Sequence, residues 1–119
     1  EQLIQAMLNI VRNAAQAMQG NGTIVLRTRI ARQVTLIKRR HRLAVMVQII
    51  DNGPGIPPEL QDKIFYPLVS GRADGHGLGL TLAQNFILQH HGSIEVDSRP
   101  GRTCFTVLLP LHTNHQENQ

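Results

Sequence analysis

The sequence predicts an α/β (α+β) two-layer sandwich, in which helices cover one face of a mostly antiparallel mixed sheet. Two long helical segments are interleaved with strand-like segments that come in two pairs, and each pair is joined by a charged or turn-forming connection, as in antiparallel hairpins. The 119 residues carry no repeat or internal linker, which fits one domain. We place this domain at residues 1–111 and expect a disordered polar tail at 112–119.

The first predicted element is a helix. Apolar residues recur at steps of three and four from Leu3 to Met18, which is the period of one helix face. Glycines in the segment 20–22 end this helix, because they tolerate positive φ. Strand-like runs follow at 23–30 and 43–50, and a long antiparallel hairpin is the economical connection between them.

Turn-forming residues dominate the middle of the chain. The segment 51–60 is dense in Gly and Pro, and Pro57 and Pro58 suit the first turn of a short helix. No sustained period is present after Phe65, up to about residue 76. Loops of this length in a compact domain are often lids, so this segment is a candidate lid.

A second helix and a second hairpin complete the predicted fold. The helical pattern at 78–92 ends at Gly92, and strands at 93–98 and 103–110 pair across a Pro-Gly turn. The single cysteine, Cys104, lies in the last strand and has no intrachain partner for a disulfide.

The positive charge is concentrated in the first half of the chain. Residues 1–60 carry eight Lys/Arg against three Asp/Glu, and much of this excess lies in Lys38–Arg42, between the first two strands. A solvated hairpin tip or a partner-docking patch is the favoured interpretation. Nucleic-acid binding is disfavoured, because one Tyr, three Phe and no Trp leave few side chains for base stacking.

Composition also excludes other classes of protein. The six histidines form no cluster with Cys or paired carboxylates, so no structural zinc site is predicted. No apolar run is long enough to cross a membrane, and the N-terminus lacks the pattern of a signal peptide. We therefore expect a cytoplasmic protein, and the abrupt helical start favours a fragment of a longer one.

Two asparagines of the first helix are candidate ligands. Asn9 and Asn13 are four residues apart, so they project from one side of the helix. Their carboxamides offer oxygens for a hard cation such as Mg²⁺ and N–H donors for phosphate. Taken alone, the pair is also compatible with ordinary surface residues.

Asp51 is a candidate base-binding residue. It follows an apolar strand and precedes Gly53 and Gly55, so the backbone can approach a ligand closely beside its carboxylate. The carboxylate can accept a hydrogen bond from an exocyclic amine such as N6 of adenine. The alternative, that Asp51 only caps a turn, is equally compatible with the Asp-Asn-Gly sequence.

Three glycines at alternate positions, Gly75, Gly77 and Gly79, run into the second helix. A helix start offers free N–H groups and a positive dipole end, which together bind anions, and Arg72 can reach over phosphates from the preceding loop. A turn without ligand is the alternative. No P-loop motif is present, and Leu80 stands where a Rossmann fingerprint needs glycine.

In combination, these segments resemble the ATP-binding catalytic domain of sensor histidine kinases. This domain belongs to a superfamily that also includes gyrase, MutL and heat-shock chaperone ATPases. The resemblance spans residues 2–111 and implies a Bergerat-type fold. It is carried, in order, by "LNIVRNAAQA" (8–17), "DNGPGIP" (51–57), "IFYPLVSGR" (64–72), "GHGLGL" (75–80) and "PGRTCFTVLLP" (100–110).

The resemblance implies a role for each matching residue. Asn13 would be the principal Mg²⁺ ligand. Asn9, beside the phosphates, would be catalytic together with Arg12 and Arg72, although Arg12 can equally face solvent. The segment from about 58 to 76 would be the lid. Asp51 would bind adenine N6. The remaining nucleotide contacts would come from Gly53, Gly55, Ile56, Gly75, Gly77, Leu78, Gly79, Leu80 and, through water, Thr103. His76 is excluded from the catalytic set.

The residue at position 9 favours phosphotransfer over hydrolysis. The superfamily ATPases typically have a glutamate there that activates water, whereas the Asn9 carboxamide does not take up a proton at neutral pH. Catalysis would then come from positioning and charge neutralisation. A GHKL-type ATPase and a nucleotide-dependent interaction module without phosphotransfer are the alternatives.

The resemblance also implies partners. The resemblance to histidine kinases implies an upstream dimerisation and phosphoacceptor domain and a response regulator. The segment 65–72 is similar to that of NtrB-type nitrogen-regulation kinases, which implies a PII-type regulator. None of the six histidines has the sequence context of a phosphoacceptor, so we expect no autophosphorylation by this chain alone. We expect the fragment to be a monomer, the full protein a homodimer, and neither a membrane nor a nucleic acid as partner.

Overall fold

A single four-stranded sheet carries two helices on one face. The computed structural model describes residues 2–36, 39–61, 64 and 77–111. The strands follow the order β1-β2-β4-β3, and every neighbouring pair among the described residues is antiparallel, which confirms the predicted two-layer fold. The elements are α1 (Gln2–Ala17), β1 (Ile24–Leu36), β2 (Arg39–Asp51), α2 (Pro58–Gln61), α3 (Gly77–Gln89), β3 (Ser93–Arg99) and β4 (Arg102–Pro110).

The core lies between the helices and the two central strands. Ile10 of α1 and Ile87 of α3 are fully buried together with Ile49 of β2 and Val107 of β4. Removing such a side chain from water stabilises the fold by about 1.5–3 kcal/mol. Because side chains alternate along a strand, Cys104 points to the other face of the sheet, where it is 5% exposed.

The first hairpin is longer than predicted. Its strands run past the expected limits, and the ladder ends with Leu36 opposite Arg39. The prediction that 39–42 belong to a connection is therefore wrong, since these residues lie in β2. Pairing satisfies the backbone groups of both strands at once, so the ladder continues where the apolar alternation has faded.

The helix ends follow local backbone chemistry. After α1, Gln19 and Gly20 have φ angles of 57° and 75°, as expected for a left-handed cap. The second predicted helix ends earlier than expected, at Gln89, and His91 takes the positive φ of 64°. Gly92 serves another purpose, because a Cβ there would collide with the Leu108 carbonyl oxygen. In the described ranges no helix is long and apolar enough to cross a membrane.

Candidate functional site

A buried carboxylate lies at the end of β2. Asp51 is 5% exposed and lies opposite Thr103 of β4, which is 3% exposed. The Gly53 N–H donates to Asp51 Oδ1 over 2.9 Å. Burial raises the pKa of Asp51 above the ordinary value of 3.8, and the hydrogen bond from Gly53 offsets part of this rise. An ionised carboxylate only accepts hydrogen bonds, so this position suits a ligand that brings a donor.

The loop of residues 51–57, here called the 51–57 loop, lies tightly against its neighbours. A Cβ on Gly53 would stand 2.7 Å from Cγ of Met18, at the end of α1, and the Gly53 carbonyl accepts a hydrogen bond from Gly101 N–H at 2.9 Å. Gly55 has a φ of 88°, and its Cβ would stand 2.7 Å from the Arg99 carbonyl oxygen. Glycine at both positions therefore permits close approach of backbone to neighbour.

Polar side chains that sequence reasoning missed secure the same loop. The Ile56 N–H donates to Ser98 Oγ at 2.8 Å, and Gln61 Nε2 donates to the Ile56 carbonyl at 2.9 Å. Asn52 Oδ1 accepts a hydrogen bond from the Thr23 N–H at 2.9 Å, which ties the loop to the start of β1. No local pattern marks these three side chains, because each of them bonds to a segment that is distant in the sequence.

The two predicted asparagines lie beside the buried stripe of α1. Asn9 and Asn13 are half-buried and about 40° apart around the helix axis. The structure therefore brings both carboxamides to one side, as predicted. Arg12 lies between them in sequence but is exposed, so its side chain faces away from the core.

The predicted anion site coincides with the start of α3. Since this helix begins at Gly77, the N–H groups of Gly77, Leu78, Gly79 and Leu80 have no acceptor within the helix, and they lie at its positive end. The Leu80 side chain is buried in the core beside Ile10 of α1. Leu80 can therefore serve a ligand through its backbone only.

Other predicted positions lie outside the described residues. Arg72, Gly75, His76 and the tail 112–119 belong to this group, as does most of the expected lid. Within the described part of 58–76, α2 begins at Pro58 as predicted. The described residues hold no cluster of three or more His, Cys, Asp or Glu side chains that could bind a metal ion.

Known sequences show the same pattern over nearly the whole chain. The family model "Histidine kinase-, DNA gyrase B-, and HSP90-like ATPase" matches residues 1–113. The chain is 57% identical over 113 residues to the sensory histidine kinase/phosphatase NtrB of Vibrio alginolyticus, and 57% identical over 112 residues to that of Escherichia coli O157:H7. In both cases 93% of this chain covers 32% of the relative. The chain thus spans about a third of the length of these relatives.

Solved structures show the same fold. The catalytic domain of the histidine kinase ThkA superposes with a TM-score of 0.72 at 31% identity, covering 92% of this chain and 66% of that one. Full-length ShkA in complex with AMPPNP gives a TM-score of 0.73 at 26% identity, covering 94% of this chain and 22% of that one. The chain therefore belongs to the family of histidine kinase-, DNA gyrase B- and HSP90-like ATPases, as an NtrB-like histidine kinase ATP-binding domain.

Proposed function

We propose that the chain binds ATP with the adenine at Asp51 and Thr103 and the phosphates between α1 and the start of α3. The observation that carries this proposal is the Asp51 carboxylate, which is buried and held by the N–H of Gly53 in a loop docked on two other elements. A buried charge is costly unless a ligand or a partner compensates it. An adenine amine at this position would supply a second donor beside the Gly53 N–H.

The chemistry of Asp51 favours adenine over guanine. Adenine presents an N–H donor at N6, whereas guanine presents a carbonyl oxygen at the equivalent position. The guanine carbonyl oxygen would face the Asp51 carboxylate, and these two acceptors would repel each other without forming a hydrogen bond. Asp51 therefore favours a base that has its donor at the position of adenine N6.

The phosphates fit the other half of the site. The first N–H groups of α3, from Gly77 to Leu80, suit phosphate oxygens. Asn13, with Asn9 beside it, would hold Mg²⁺, since carboxamide oxygens are hard ligands and the two residues lie on one side of α1. When bound, the ion would neutralise part of the phosphate charge. Arg12 and Arg72 would supply further positive charge.

In the longer protein, the chain would serve phosphotransfer. We infer that the γ-phosphoryl passes to a histidine of an upstream dimerisation domain and then to a response-regulator aspartate, since the names of the relatives describe sensory histidine kinases. The Asn9 carboxamide supports transfer over hydrolysis, because it cannot act as a general base toward water. The residues of this chain would act by binding and orienting the nucleotide.

The biological setting follows from the same relatives. Identity to NtrB proteins favours a role in nitrogen regulation. We further propose, from the resemblance of the sequence, a PII-type protein as regulator and a homodimeric full-length kinase in the cytoplasm. The expected lid over 58–76 would close over the nucleotide. His76 would contribute its backbone, and replacing it with threonine should leave phosphotransfer largely intact.

Calorimetric titration of the chain with Mg·ATP tests the binding proposal. We expect binding by wild type, weaker binding of GTP, and a loss of affinity in Asp51→Asn. Repeating the titration with EDTA and with Asn13→Asp tests the role of the ion. Absence of adenine-nucleotide binding by wild type would overturn the proposal.

Two further assays separate the alternatives. A GHKL-type ATPase would release phosphate from ATP in steady state, whereas the proposed kinase domain would do so very slowly. A nucleotide-dependent interaction module would bind ATP but label no histidine when a cognate dimerisation domain and radiolabelled ATP are supplied. Transfer of label to that domain is the result expected here.

A further inference from the structure

Gln61 and Ser98 secure the 51–57 loop and lie next to the proposed nucleotide site. We propose that both are positioning residues, which hold the 51–57 loop on β3 so that Asp51 and Thr103 present a fixed pattern of hydrogen-bonding groups to the base. This inference rests on the proposed ATP-binding function. Neither side chain needs to contact the nucleotide for this role.

The carboxamide of Gln61 joins two separate segments. Its Nε2 donates to the Ile56 carbonyl at 2.9 Å and to the Ser98 carbonyl at 3.1 Å. A glutamine NH₂ has two hydrogens, so these two bonds use its full donor capacity. Gln61 is half-buried at the end of α2, where water competes less well for the same carbonyls. One side chain therefore ties the loop to the sheet.

The hydroxyl of Ser98 continues this connection into the site. Ser98 Oγ accepts a hydrogen bond from the Ile56 N–H at 2.8 Å and lies 2.6 Å from Thr103 Oγ1. One of the two hydroxyls donates to the other, so the direction of the Thr103 hydroxyl depends on Ser98. Thr103 lies opposite Asp51. The hydrogen-bonding groups that these two residues present to the nucleotide base therefore depend on Ser98.

The consequence of this arrangement is preorganisation. A loop that is already ordered loses little conformational freedom when a ligand binds, whereas a loose loop must be ordered at the expense of affinity. Gln61 and Ser98 also fix the relative positions of Asp51 and Thr103. Loss of either residue should therefore weaken ATP binding and reduce discrimination between adenine and guanine.

The test compares Gln61→Leu with Gln48→Leu in the 119-residue chain. Gln61→Leu removes both donors at similar side-chain size, and we expect the Kd for ATP to rise about tenfold and the ATP-over-GTP preference to fall. Gln61→Lys keeps donors for both carbonyls and should restore most of the affinity. Gln48 Nε2 donates to Thr106 Oγ1 at 3.4 Å on the other face of the sheet, so Gln48→Leu should change the Kd less than about twofold.

Amide exchange measured by NMR adds a readout without nucleotide. The Ile56 amide should exchange about tenfold faster in Gln61→Leu and at the wild-type rate in Gln48→Leu. If Gln61→Leu does not fold by circular dichroism, Ser98→Ala takes its place with the same expected changes.

The outcomes separate this inference from the proposed function. Wild-type affinity and base preference in Gln61→Leu, or an equal loss in Gln48→Leu, would overturn the inference while ATP binding stands. A wild-type chain that binds no ATP would overturn both. A general loss of stability would weaken ATP and GTP binding by the same factor, which would also count against a positioning role.

Discussion

The two ends of strand β2 differ in almost every physical respect. At one end Asp51 is buried, hydrogen-bonded to Gly53 and paired with Thr103 in the ladder. At the other end Arg39 and Arg40 are exposed on a two-stranded ribbon formed with β1. The same strand therefore carries a site with fixed geometry at one end and a solvated basic surface at the other.

The ribbon lacks the features that fix the nucleotide end. It carries exposed arginines on both strands, and no acidic residue lies on β1. Exposed charges are screened by salt and gain little from a particular side-chain geometry. Substitutions at the buried end should therefore change both stability and binding, whereas substitutions on the ribbon should change neither by much. The exposed arginines of the ribbon are Arg32, Arg39, Arg40 and Arg42.

The largest effect is expected for Gly55→Ala. An alanine there must adopt a φ near 88°, which costs about 1–2 kcal/mol, and its Cβ meets the Arg99 carbonyl oxygen, which adds about 1–3 kcal/mol. Gly101→Ala is the matched control, because Gly101 has a φ of 90° with no atom within 4 Å of the added Cβ. Urea denaturation measures both variants, and equal losses of unfolding free energy would contradict the close approach at Gly55.

Asp51→Asn should give the next largest effect. Replacing the carboxylate weakens a charge-assisted hydrogen bond to the base, which is worth about 1.5–3 kcal/mol or a tenfold to hundredfold rise in Kd for ATP. Calorimetric titration at neutral pH measures this change. An unchanged Kd would mean that the base does not lie at Asp51.

The pH dependence of stability gives a further test of the buried end of β2, where Asp51 lies. Because the pKa of Asp51 is raised on folding, its contribution to stability is fully present below about pH 3.8 and is lost as the pH rises through the folded-state pKa. Without nucleotide, wild type should therefore lose stability relative to Asp51→Asn over this window. Urea denaturation at a series of pH values measures the difference, and a difference that stays constant with pH would contradict the raised pKa.

The smallest effect is expected on the ribbon. Arg32→Gln combined with Arg40→Gln removes two exposed charges, and the unfolding free energy should change by less than about 0.5 kcal/mol per substitution. The Kd for ATP at 0.15 M salt should change less than about threefold, because screening weakens the distant charges. A tenfold loss of affinity would show that the two ends are energetically coupled.

Much of the fold was predictable because local patterns and tertiary structure agree. The helical period from Leu3 to Met18 matches α1 almost residue for residue, and the Pro-Gly turn matches the connection of β3 and β4. The extension of the first hairpin was not predictable, since residues 31–36 show no clean alternation. Pairing with a partner strand, which no single segment reveals, determines the structure there.

The candidate site also has parts that the sequence predicts and parts that it does not. Asp51 and the glycines that follow it stand out by local chemistry alone, so the sequence identifies the 51–57 loop. The position of Thr103 beside Asp51 depends on the register of β2 with β4, and the contributions of Gln61 and Ser98 depend on contacts between distant segments. Sequence patterns identify groups with unusual chemistry better than the side chains that hold them in place.

The burial of Cys104 provides a built-in probe of the site. This thiol follows Thr103 directly, it is the single cysteine of the chain, and it is buried on the face of the sheet opposite the helices. A thiol reagent can reach it only when β4 opens, so the labelling rate reports the opening of the strand that carries Thr103. Slower labelling with increasing ATP would measure, without any engineered label, how far nucleotide binding holds that strand closed.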